Sequence, residues 1–78
     1  MDERVAAYLK EVGQRIRAER KKHSLLQHEL AARLGVHRSY ITIIERGDTN
    51  LTLETVYKFS KALHIGIEEL LMPFPKTK

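Results

Sequence analysis

The chain has 78 residues, a net charge of +4 and no cysteine, so it is one small domain, 1–78, without a disulfide or thiolate-metal staple. A chain this short buries a thin core, and its stability has to come from helix packing, helped by dimerisation. There is no long apolar run and no charged-then-apolar leader, which points to a soluble, cytoplasmic protein with no membrane partner.

The charge is unevenly placed. Residues 1–47 carry ten Lys/Arg against six Asp/Glu, and residues 48–78 carry four of each. A basic excess confined to one part of the chain attracts polyanions.

In chain order, Val5, Leu9, Val12 and Ile16 recur at helical spacing and form one apolar stripe. The spacing predicts a first helix from about Asp2 to Lys22, with acidic residues at its start and Arg20, Lys21 and Lys22 at its end. Gly13 interrupts it at a cost of ~1 kcal/mol relative to alanine, and a glycine there lets another helix come close. His23 to Leu26 is a connector. Gln27 to Leu34 forms a short second helix with Leu30, Ala31 and Leu34 inward, and Gly35 stops it. Arg38 to Arg46 forms the third helix, with Ile41 and Ile44 inward, stopped by Gly47. After a polar loop, Thr52 caps a fourth helix, Leu53 to Leu63, whose inner face is Val56, Phe59, Ser60 and Leu63. A last short helix runs from about Ile67 to Met72, and Pro73 ends it.

The expected fold is therefore all-α, a compact five-helix bundle. Its informative feature is the pair of short helices around Gly35-Val36-His37, at about residues 27–46. A three-residue turn containing glycine turns the second helix steeply away from the first, which is helix-turn-helix geometry. Val36 is expected to plug the gap between them.

The run from Gln27-His-Glu-Leu30-Ala31 through Leu34-Gly35-Val36 to Ile44-Glu45-Arg46-Gly47 resembles the helix-turn-helix of the Xre/Cro-type phage repressor family. The resemblance extends from about Val12 to Met72. A narrower likeness, in His37-Arg38-Ser39-Tyr40-Ile41, Ile44-Glu45-Arg46 and Asn50-Leu51-Thr52, is to the controller proteins of restriction–modification systems. One position departs from the pattern. The family places Ser or Thr before the glutamine that opens the second helix, whereas this chain has Leu26, and a missing cap costs about 1 kcal/mol. Either the helix starts uncapped at Gln27, or it starts at Leu25 with Ser24 as its cap.

The resemblance implies a sequence-specific, double-stranded DNA-binding regulator acting as a homodimer on a pseudo-palindromic operator. The third helix would enter the major groove. Arg38, Ser39, Tyr40, Thr42 and Ile43 are the candidates for base contact, with Arg38 first because its guanidinium fork matches guanine. Gln27, His37, Arg46, Asn50 and Thr52 are candidates for phosphate contact, which sets register. Thr52 is also the expected cap of the fourth helix. Glu45 lies at a helix C-terminus, where a carboxylate opposes the dipole and wants a cation. By resemblance that cation is Arg20, giving a structural ion pair. Ile67, Leu71, Met72 and Phe74 are candidates for the dimer interface, in competition with a place in the fold's own core.

Other classes fit poorly. There is no cysteine nucleophile and no Gly-rich phosphate loop, and the four histidines at 23, 28, 37 and 64 have no helical metal-ligand spacing. Neither an enzyme, nor a metal site, nor a cofactor, nor a small-molecule ligand is expected. The alternative is an antitoxin-type helix-turn-helix protein that also holds a toxin. The tail from Met72 to Lys78 is short for wrapping a second protein.

Overall fold

The structure is a computed structural model and describes residues 2–71. Those residues form five α-helices and no strand: α1 (Glu3–Lys22), α2 (Gln27–Leu34), α3 (Arg38–Arg46), α4 (Leu53–Leu63) and α5 (Ile67–Leu70). No helix among them is long and apolar enough to cross a membrane.

The helix starts follow from local chemistry. Asp2 accepts the Arg4 N–H at 2.6 Å and opens α1. Thr52 Oγ1 accepts the Thr55 N–H at 3.1 Å and opens α4. His37 opens α3, with Nδ1 accepting the Ser39 N–H at 3.0 Å. α2 begins at Gln27, so the earlier start at Leu25 does not occur. Ser24 instead takes a left-handed φ of 54° in the preceding turn. Leucine has no oxygen to offer, so only half of a capping box forms, with Glu29 Oε1 accepting the Leu26 N–H at 2.7 Å.

Four helices end in the same way. At Ser24, Gly35, Gly47 and His64 the chain turns left-handed. The next residue's N–H then reaches back five residues: Leu25 to Arg20, Val36 to Ala31, Asp48 to Ile43 and Ile65 to Ser60, at 3.0–3.1 Å. Each is a Schellman motif that satisfies carbonyls left open at a helix end.

Val12, Ile16, Leu30, Ala31, Ile41, Ile44, Val56, Phe59, Leu63 and Leu70 form one core to which every helix contributes. α3 packs against both α1 and α2, so its inner face is clamped from two sides. Gly13 makes the α1 contact possible. A Cβ built there would collide with the carbonyl oxygen of Ile44 and lie 2.7 Å from that of Glu45.

Three expectations need correction. Val5 is 46% exposed, because the apolar stripe of α1 reaches the core only from Leu9 onward. Val36 is 36% exposed and does not plug the turn; it lies at the rim of a depression beside Leu34 and Tyr40. α5 is a single turn ending at Leu70, with Leu71 as its cap, while Met72, Pro73 and Phe74 lie outside the described residues.

Candidate nucleic-acid interface

α3 has two chemically distinct faces. Ile41, Ile44 and Glu45 are buried. Arg38, Ser39, Ile43 and Arg46 are exposed, and Tyr40 and Thr42 are half-buried at the margins. The exposed face thus offers a guanidinium fork, a hydroxyl and an aliphatic side chain along one short helix. Arg38 makes no hydrogen bond to the described residues. Arg46 is different, since its Nε lies 3.1 Å from Asp48 Oδ2. An ion pair this exposed contributes little stability and opens readily. Neither periodicity nor resemblance singles out Asp48, although it stands two residues past Arg46 at the helix end.

Beneath α3 lies a polar network. Arg20 donates from Nε to Glu45 Oε2 at 2.6 Å and from Nη2 to Oε1 at 3.1 Å, and both side chains are over nine-tenths buried. The third arm of Arg20, Nη1, donates to the Leu25 carbonyl at 2.8 Å. The pair therefore joins the end of α1, the connector and α3. Glu45 Oε1 also accepts from Gln27 Nε2 at 3.2 Å, and Gln27 Oε1 accepts from Thr42 Oγ1 at 3.1 Å. Gln27 and Thr42, which the sequence suggests for separate roles, are thus hydrogen-bonded to each other. Periodicity gives no sign of this link, because it joins side chains 15 residues apart on different helices.

The remaining candidates flank α3. His37 accepts at Nδ1, so its ring hydrogen sits on Nε2 and is available as a donor. Ser39 Oγ lies 2.9 Å from the same Nδ1. Asn50 and Thr52 are exposed beyond the C-terminal end of α3, and the Thr52 hydroxyl is engaged with Thr55.

Ile67 and Leu71 are half-buried near the C-terminal end of the described residues, and Leu71 shares a depression with Asn50 and Thr52. This depression is open and apolar, of roughly 350 Å³, and is also lined by Val5, Tyr8, Leu51, Leu53 and Val56. Leu53 is 72% exposed there. Sequence pattern assigns neither Val5 nor Leu53 to this surface, because each continues the apolar pattern of its own helix.

A family model described as helix-turn-helix matches residues 16–70, which takes in α2, the Gly35 turn and α3. The chain belongs to the helix-turn-helix family. This is a family of DNA-binding transcription regulators, and within it the chain resembles restriction–modification controllers. It is 42% identical over 60 residues to the control protein C.BamHI of Bacillus amyloliquefaciens, covering 76% of this chain and 74% of that protein. It is 38% identical over 64 residues to the control protein C.SmaI of Serratia marcescens, covering 81% and 76%. Among solved structures, the restriction-modification controller protein C.AhdI from Aeromonas hydrophila matches with a TM-score of 0.78 at 41% identity, over 82% of this chain and 97% of that one. The helix-turn-helix protein SinR, solved in complex with DNA, matches with a TM-score of 0.72 at 37% identity, over 78% and 98%.

Proposed function

We propose that this helix-turn-helix regulator binds a pseudo-palindromic operator as a homodimer in the cytoplasm and controls the genes of a restriction–modification system. The observation that carries the DNA-reading part is the outward face of α3. Its inner face is clamped by α1 and α2, so the outer one is held rigid and free for the major groove. Likeness to C.BamHI, C.SmaI and C.AhdI supports the controller role.

Arg38 is assigned bidentate contact with guanine O6 and N7, and Ile43 contact with a thymine methyl. Ser39, Tyr40 and Thr42 complete the base-reading set. Gln27, His37 through Nε2–H, Arg46, Asn50 and Thr52 hold phosphates on either side and set register. Thr52 has least to offer, since its hydroxyl already caps α4.

Dimerisation is assigned to the apolar end bearing Ile67 and Leu71, widened by Val5 and Leu53. Met72 and Phe74 come next in the chain. A two-fold dimer places two recognition helices ~34 Å apart, one turn of duplex.

The test is selection from a pool of random duplexes with the full chain, followed by affinity measurement on the enriched sequence. A two-fold symmetric site bound far more tightly than random duplex is the expected result. Equal affinity for enriched and random duplex refutes sequence-specific regulation.

A further inference from the structure

We infer that Thr42 reads DNA only as a hydrogen-bond acceptor, and so selects a base carrying an exocyclic amine in the major groove, adenine or cytosine. The polarity is set by three hydrogen bonds beneath α3. This inference rests on the proposal that α3 enters the major groove.

The chain of constraint starts at the buried ion pair. Glu45, paired with Arg20, is a carboxylate and can only accept. The Gln27 group facing Glu45 Oε1 at 3.2 Å must therefore be its amide nitrogen. That orientation turns the Gln27 amide oxygen toward Thr42, and an amide oxygen can only accept. Thr42 Oγ1, 3.1 Å away, must then donate its single hydrogen inward. A hydroxyl has one hydrogen and two lone pairs, so what remains for a ligand is acceptor capacity alone.

The major groove presents donors at adenine N6 and cytosine N4, and acceptors at guanine O6 and N7 and thymine O4. An unconstrained threonine hydroxyl serves either kind, which makes it an ambiguous reader. Locked as an acceptor, Thr42 favours the amine-bearing bases and sets a lone pair against a carbonyl at the others. Gln27 and Glu45 act here as positioning residues, through Thr42.

The experiment uses the full chain and the operator obtained by selection. Within it, adenine is replaced by purine and cytosine by 2-pyrimidinone, each lacking only the amine. At one base pair per half-site, the wild type should lose about five- to tenfold in affinity, the size of one hydrogen bond. Thr42→Val, close in shape and without the acceptor, should lose the same on intact operator and nothing further when that amine is absent. Gln27→Met removes the inward acceptor and frees the hydroxyl to turn. Its affinity should fall evenly across sequences, and the amine preference should shrink below about twofold, less than one hydrogen bond supplies. Circular dichroism establishes that both variants are folded.

Coupling of Thr42→Val to a guanine or thymine oxygen instead of an amine would overturn the inference, as would an amine preference that survives in Gln27→Met. If Thr42→Val matches the wild type on every duplex while Arg38→Ala relaxes selection, the inference falls and the functional reading stands. If no duplex is enriched, both fall.

Discussion

Arg20 and Glu45 lie 25 residues apart in sequence and meet in a two-pronged ion pair, 2.6 Å from Nε to Oε2 and 3.1 Å from Nη2 to Oε1. Burying two charges is costly, and their attraction repays it only when the geometry is good and the remaining hydrogen-bond capacity is used. Here Leu25 and Gln27 use it. The pair ties the end of the longest helix to α3, so the fold's stability and the seating of α3 share one set of contacts.

Breaking one half should therefore cost more than removing both. Arg20→Met leaves the Glu45 carboxylate buried without its cation and should destabilise by about 3–5 kcal/mol in urea unfolding. Arg20→Met with Glu45→Leu removes both charges, and its loss should be clearly smaller. Equal losses would mean that the attraction itself, and not the stranded charge, dominates.

Gly13→Ala sets helix propensity against packing. In an open helix the change stabilises by about 1 kcal/mol. In this fold the new methyl group meets the Ile44 and Glu45 carbonyl oxygens, which are backbone and cannot swing away. The expected net result is destabilisation, from an overpacking cost of about 1–3 kcal/mol that exceeds the propensity gain. A raised thermal midpoint would show that α3 does not approach α1 so closely.

Leu26→Ser should stabilise the chain. Leu26 has the extended backbone of an N-cap, is 59% exposed and makes no side-chain cap bond. Glu29 already supplies the reciprocal half of the capping box. A serine completes it, worth about 0.5–2 kcal/mol by chemical denaturation. No gain would mean that the solvated carboxylate alone already satisfies this end.

Arg38→Ala should weaken binding to the selected operator by about 1–3 kcal/mol and leave random-duplex binding nearly unchanged. Competitive titration against both duplexes measures it. Equal loss on the two would make Arg38 a phosphate contact.

Leu53→Asp should shift the monomer–dimer balance toward monomer in sedimentation at micromolar concentration. Leu53 is mostly exposed, so the change should alter monomer stability by no more than ~0.5 kcal/mol. Leu71→Asp should act in the same direction but also disturb packing, because Leu71 rests against the core. An unchanged sedimentation profile for Leu53→Asp places the dimer contact elsewhere.

The five helices, most of the core and the turn between α2 and α3 are legible in the order of residues alone. Those features depend on neighbours close along the chain: apolar residues three and four apart, Asp2 and Thr52 at helix starts, and glycines at 35 and 47 that accept a left-handed backbone. Resemblance, not periodicity, supplied Arg20 as the partner of Glu45. How far each apolar stripe is covered depends on how the helices pack, and that packing leaves Val5, Val36 and Leu53 exposed. The same packing lets Gln27 bond at once to Glu45 and to Thr42. Helical spacing states which face a side chain occupies, but hydrogen bonds between helices depend on how those helices are set against one another. That setting is a property of the whole packed core, so no local stretch of residues contains it.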